Sequence, residues 1–268
     1  MGLLIRMWSS WFRAFSDVMV GRTVMAVDVE VESAVVMYRP AAGAKRSVPA
    51  RVVSPAALFG GYPWRTFRWY LGQRHYSGTY WSATERDHVI YESRLELANL
   101  LLADFDPSVR HIAAQPFMLV ARVDGKPSRH ILDYLWDSDD GPVVVDVVRA
   151  ERLAVPKVAK LCEWTRAVVE SRGWTYAVVS EPDRVRLANI RFLAGYRRDW
   201  LFRQDILNEI RARREELVGL PIRDAEASMK EFPKPLVRAA FMHLLWIHEY
   251  SVDLNQSLSP STRLEARP

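Results

Sequence analysis

Two aspartates, each set within an apolar run, constrain this chain more than any other feature. Asp133 interrupts Ile131-Leu132-Asp133-Tyr134-Leu135, and Asp146 interrupts Val143-Val144-Val145-Asp146-Val147-Val148. Short runs rich in branched aliphatic residues form strands. A carboxylate on a buried strand face is costly unless something neutralises it. The segment between them, Asp137-Ser138-Asp139-Asp140-Gly141, carries turn residues. Folding symmetrically about Asp139 and Asp140 sets Asp133 opposite Asp146 on one face, with Cβ atoms roughly 4.5–5.5 Å apart. Two like charges at that separation call for a proton or a cation between them. Hard divalent cations favour such oxygen ligands, so the pair reads as a magnesium site.

Composition bounds the setting. The 268 residues suffice for one large domain or two modest ones, and a hydrophobic content of 49% supports a sizeable core. A net charge of +5 and a pI near 9.4 lean towards an anionic partner. The one cysteine, Cys162, excludes an internal disulfide framework and a multi-cysteine zinc cluster. No run approaches the roughly 18 apolar residues of a membrane span, and no membrane partner is expected. Met1 to Val20 lacks the long apolar stretch of a secretion signal and reads as an amphipathic arm. A cytoplasmic protein is expected. No Gly-rich phosphate loop is present.

Three regions follow along the chain: an N-terminal arm with loops over residues 1–60, a central α/β domain over 61–195, and a mostly helical domain over 196–268. The arm region contains short β-type runs at Thr23–Val31 and Ser33–Tyr38. Residues 61–83 interleave aromatics with Arg65, Arg68 and Arg74. That pattern suits phosphate and base contacts, and it equally suits an extended segment packed on the domain. The central order is a helix from Tyr91 or Ser93 to Ala103, a strand Phe117–Val123, and the hairpin Arg129–Trp136 with Val143–Val148. A helix Pro156–Arg172 and a strand Trp174–Ser180 complete it, with Pro156 suited to a first turn and Gly173 to a C-terminal cap. Glu181 to Gly195 reads as a connector. Helices are predicted at Gln204–Leu217, Arg223–Phe232 and Lys234–Glu249, then a strand Tyr250–Leu254 and a polar tail. Three helices and a hairpin-like tail fit a winged helix-turn-helix or a plain helical bundle.

Glu96 lies between Leu95 and Leu97 in a strongly apolar helix. Ser93, three residues earlier, gives it a second reading as half of a capping box. Glu92 reads as a solvated charge. One helix glutamate beside two strand aspartates makes a three-carboxylate site able to hold magnesium while it keeps waters. Such an ion lowers the pKa of an attacking water and stabilises charge on a scissile phosphate.

Taken in order, these residues resemble a family. Tyr91-Glu92-Ser93-Arg94-Leu95-Glu96-Leu97 is followed by Ala114-Gln115-Pro116-Phe117. Then come His130-Ile131-Leu132-Asp133-Tyr134-Leu135 and the run from Val144 to Leu153. The series resembles the TnsA-type endonuclease subunit of heteromeric transposases, over roughly residues 62–260. The resemblance implies a restriction-endonuclease-like core (αβββαβ, PD-(D/E)xK class) followed by a winged-helix-like C-terminal domain. It implies that Glu96, Asp133 and Asp146 are catalytic and bind Mg2+, with Mn2+ as the alternate ion. The partners implied are transposon-end DNA, a DDE-type transposase subunit and an AAA+ ATPase regulator. The activity implied is cleavage of the non-transferred (5′) strand by water, leaving a 3′-hydroxyl and a 5′-phosphate.

The chain departs from the family pattern at Val148, where the motif lysine stands. Period-two alternation sets residue 148 on the face of Asp146, and valine offers neither charge nor hydrogen bond. Leu132 replaces the usual proline. Lys157 and Lys160 open the next helix and could supply an amine from another position, or be solvated surface residues. His130 is a phosphate-contact candidate or a structural histidine, and Gln115-Pro116 reads as shaping a strand entry. The expected function is a magnesium-dependent endodeoxyribonuclease. The alternative is a catalytically impaired subunit that binds DNA and serves assembly.

Overall fold

A computed structural model describes residues 27–65 and 76–266. The N-terminal arm, Arg68 and Arg74 lie outside these residues. The chain divides into two compact units, Met1–Asn99 with Ser108–Glu181 and Leu100–Pro107 with Pro182–Pro268. Both α-helices and β-sheets are present, so the class is mixed α/β. Among the described residues no helix is long and apolar enough to cross a membrane.

The first unit holds strands β1 (Val35–Pro40), β2 (Arg46–Pro49), β3 (Gly61–Tyr62), β4 (Gly78–Ser82), β5 (Asp87–Tyr91) and β6 (Val109–Ala114). It continues with β7 (Met118–Val123), β8 (Lys126–Ile131), β9 (Tyr134–Ser138), β10 (Gly141–Val147) and β11 (Thr175–Val179). One sheet has the order β2-β1-β7-β8, with β3 also paired to β1. A second has the order β11-β10-β9-β6, and β4 pairs with β5. β10 and β11 run parallel, which requires a crossover; the helix Pro156–Glu170 supplies it. That helix buries Val158, Cys162 and Val168 in one core with Leu135, Val144 and Tyr176.

The structure departs from the sequence reading at several places in this unit, and β2 to β5 and the helix Pro55–Phe59 had no counterpart in that reading. β6 was not expected. Its ladder with β9 contains an irregularity between Val109 and His111, and its burial runs out of alternation. A bulge of this kind erases the period-two signal. The strand expected over Arg129–Trp136 is two strands in different sheets, β8 on β7 and β9 between β10 and β6. Tyr134, Leu135 and Trp136 are all buried, as a strand covered on both faces requires. β8 is largely open to solvent. Asp133 occupies the break between them. The helix predicted from Tyr91 or Ser93 begins at Arg94, because Tyr91 ends β5 opposite Gly78.

In the second unit, residues expected to form a connector fold as the helix Arg184–Leu193. The Asp183 side chain accepts from Arg186 N–H and caps it, as N-cap aspartates do. Ile190 and Leu193 form its buried stripe. The run expected as one helix over Gln204–Leu217 breaks into Gln204–Ala212 and Arg214–Leu217. The helices Ile222–Ser228 and Lys234–Trp246 follow. Strand β12 (Tyr250–Ser251) pairs antiparallel with β13 (Glu265–Ala266). Ile206, Ile210, Val237, Phe241 and Leu244 are fully or nearly fully buried.

Candidate functional site

The β9–β10 hairpin turns at Asp139-Asp140, with Ser138 paired to Gly141. Its last rung is Val145 with Tyr134. The next residues outward on the two strands are Asp146 and Asp133, the juxtaposition expected from the symmetric turn.

Asp146 lies within the four-stranded sheet and is 2% exposed. Its Oδ2 is 2.7 Å from His130 Nε2 and accepts from the Tyr176 hydroxyl at 2.5 Å. Tyr176 reaches it because Val144 pairs with Tyr176 in the parallel ladder, which puts its ring on the face shared by residues 144 and 146. Burial, with Asp146 adding to it, holds the Tyr176 phenol well above its ordinary pKa. The other oxygen, Asp146 Oδ1, is buried and has no hydrogen-bond partner.

Asp133 accepts from Val147 N–H at 2.7 Å through its Oδ2. Its own carbonyl accepts from Gln115 N–H at 2.8 Å. Burial raises the Asp133 carboxyl well above the usual aspartate range, and the charges of Asp146, Glu96 and Glu92 raise it further. Val147 N–H opposes that rise.

Glu96 is held as the capping reading described. Its backbone N–H donates to Ser93 Oγ at 3.1 Å, and Ser93 Oγ donates to Glu96 Oε1 at 2.9 Å. Glu92 N–H donates to Glu96 Oε2 at 2.7 Å. Both carboxylate oxygens thus serve the helix start. Burial still raises the Glu96 carboxyl, against the lowering effect of the Glu92 amide and the Ser93 hydroxyl.

A cleft of about 350 Å³ opens beside Asp133, and Arg65, Glu92, Gln115, Arg129 and His130 line it with Asp133. Glu92, read from the sequence as a solvated charge, faces this cleft. It lies in the link between β5 and the helix, accepts from Gln115 Nε2 at 2.6 Å and is 3.8 Å from Arg65 Nη1.

The other candidates divide. Arg65 and His130 line the cleft. Lys157 is exposed, and Lys160 is ion-paired with Asp124. Val148 packs against the core that holds Val144 and Tyr176. Among the described residues, no three or more His, Cys, Asp or Glu side chains stand in an arrangement that could hold a metal ion. Asp133 and Asp146 are adjacent in register, but among the described residues neither Glu96 nor any other acid or histidine joins them in a ligand shell.

No family model matches the chain, and no curated protein matches it.

Glu92, Gln115 and Tyr176 were not selected from the sequence. For Tyr176 a signal existed, since an aromatic in the strand after the crossover helix belongs on the sheet face of Asp146 once the two strands are aligned. Gln115 was read from the sequence only as shaping a strand entry, because its contacts depend on a left-handed backbone.

Proposed function

We propose that this chain is a metal-dependent DNA endonuclease subunit of a heteromeric transposase, cleaving the non-transferred strand at transposon ends. One observation carries the reading: Asp146 Oδ1 is buried and unpartnered, next in register to Asp133. An orphaned buried carboxylate oxygen is expensive. A proton or a hard cation removes the cost, and magnesium sites commonly use one or two carboxylates, with waters and substrate phosphate completing the shell. The donor chemistry of Asp133 and Asp146 fits that pattern. These two residues would hold Mg2+ or Mn2+, which when bound lowers the pKa of water and stabilises phosphate charge.

The chain's own groups have separate tasks in this reading. Val147 N–H and the Gln115 amide fix the Asp133 segment. His130 and Tyr176 fix the Asp146 carboxylate. Arg65 and Arg129 line the cleft where an anionic backbone would enter. The order of helix, antiparallel strands, crossover helix and parallel strand is compatible with a restriction-endonuclease-like core. The helices and the β12–β13 pair suit a winged-helix-like C-terminal domain. The DDE-type transposase subunit, the AAA+ regulator and a cytoplasmic setting belong to the same proposal.

The packing of Val148 favours a second reading, a catalytically impaired subunit that keeps DNA and transposase contacts. A nicking assay on transposon-end DNA with the partner subunits separates the two. Loss of nicking in Asp133→Ala with DNA affinity retained supports the nuclease. An intact wild-type assembly that never nicks its end DNA in Mg2+ or Mn2+ leaves only the assembly role.

A further inference from the structure

Gln115 joins three chain segments beside the cleft. Its N–H donates to the Asp133 carbonyl at 2.8 Å, and its own carbonyl accepts from Trp64 N–H at 2.8 Å. Its side-chain Oε1 accepts from Arg65 N–H at 3.1 Å, and its Nε2 donates to Glu92 Oε1 at 2.6 Å. The residue is 5% exposed and has a φ of +46°. That left-handed conformation is uncommon for a residue with a Cβ and persists where its surroundings over-determine it. Arg39 also holds the 63–65 segment, donating through Nη1 to the Pro63 carbonyl at 3.1 Å and the Trp64 carbonyl at 3.4 Å. The backbone that carries Arg65 is therefore fixed before any ligand arrives. The Arg65 side chain is 56% exposed and lines the cleft.

Glu92 is the acid that competes for this guanidinium. Its Oε1 stands 3.8 Å from Arg65 Nη1, beyond hydrogen-bond reach. The same oxygen accepts from Gln115 Nε2. Glu92 N–H donates to Glu96 Oε2, so the acid is anchored beside Arg65. A carboxylate and a phosphodiester both suit the guanidinium fork. An ion pair this exposed and this long contributes little, so a phosphate can take its place. We propose that Gln115 is the positioning residue of a phosphodiester subsite on Arg65. Its amide occupies Glu92 Oε1, holds that acid off the guanidinium and leaves Arg65 to the DNA backbone. This rests on the reading of the chain as a DNA-cleaving subunit, and the subsite itself needs no metal ion. Arg129 lines the same cleft and adds positive charge to it.

The test is binding of a fluorescent transposon-end duplex to the full chain in chelator, read by anisotropy across a salt series. Arg65→Ala should bind about tenfold more weakly, with a salt slope smaller by about one. Gln115→Met keeps the main-chain bonds and the volume but loses both side-chain bonds. It should weaken binding by about the same tenfold and lower the slope by about one, because Glu92 then closes on Arg65. Glu92→Gln added to Gln115→Met should restore affinity to within about threefold of wild type, with the slope, because the two residues act on one guanidinium. A merely structural role for Gln115 would not be rescued in this way. Thermal unfolding shows which variants fold; where Gln115→Met does not, Gln115→Asn suits the left-handed backbone and replaces it. A double variant that binds no better than Gln115→Met, or Arg65→Ala with the wild-type slope, overturns the assignment and leaves the nuclease reading to the nicking assay. A wild-type chain that neither binds the duplex nor nicks it with its partner subunits overturns both.

Discussion

His130 Nε2 and Asp146 Oδ2 stand 2.7 Å apart although their strands belong to different sheets. Both side chains are nearly enclosed, with 15% and 3% exposure, and the Tyr176 hydroxyl shares the same oxygen. The contact ties the edge of one sheet to the interior of the other. Removing one donor from a buried carboxylate costs about 1.5–3 kcal/mol. His130→Ala and Tyr176→Phe should each destabilise the protein in urea unfolding by that order. The double variant should depart from additivity by roughly 0.5 kcal/mol or more, because both act on one acceptor. Strict additivity would remove the shared-acceptor account.

Asp133 gives the stability a pH dependence of known sign. Burial, Asp146 and Glu96 raise its folded carboxyl well above the aspartate range, so the folded state holds this proton more tightly than the unfolded chain. Stability from this group is present at pH below the ordinary aspartate value and is lost as pH rises through the raised folded value. Urea unfolding in chelator, repeated across acidic to neutral pH, should show stability from this source falling with rising pH. Asp133→Asn should flatten that part of the curve. An unchanged slope in Asp133→Asn would show that another group carries it.

The parts of this fold legible in the sequence are those set by local rules. The Asp139-Asp140 turn and the register of Asp146 follow from turn chemistry and alternation. The crossover helix follows from Pro156, Gly173 and an apolar stripe. Non-local features were hidden. A bulge at Val109/His111 disguised β6. The arginines at 184 and 186 masked a helix whose buried stripe is Ile190 and Leu193. The change of sheet at Asp133 leaves no periodic mark, since Leu132 and Tyr134 are both buried around it. Within the site, the aspartate pair was readable and its partners were not. His130 meets Asp146 across two sheets, and Gln115 acts through a positive φ that composition does not announce.

Val148 marks a trade between packing and charge. Its side chain packs against the core containing Val144 and Tyr176, where burying an ammonium is costly. A lysine stem can lie along apolar surface with its charge directed to water. Val148→Lys should therefore fold, with a loss of about 1–3 kcal/mol in urea unfolding. It should also raise the nicking rate on transposon-end DNA, because its face is that of Asp146. A folded variant with no gain in rate would show that an amine at 148 does not reach the scissile phosphate.

Cys162 offers a probe of the core beneath Asp146. The thiol is 2% exposed on the crossover helix. Burial, aided by the charge of Asp146, pushes its pKa up to about 11 from an ordinary 9.0. Alkylation requires the thiolate, and a rise of that size leaves roughly a hundredfold less of it at fixed pH. In the native protein at pH 8, iodoacetamide labelling should be slower than in urea by at least that factor, since burial also blocks approach. Asp146→Asn removes the adjacent charge and should speed native labelling, measured by mass spectrometry alongside the unfolding midpoint. Native labelling of the wild type at the unfolded rate would mean that the thiol is not enclosed against the Asp146 face.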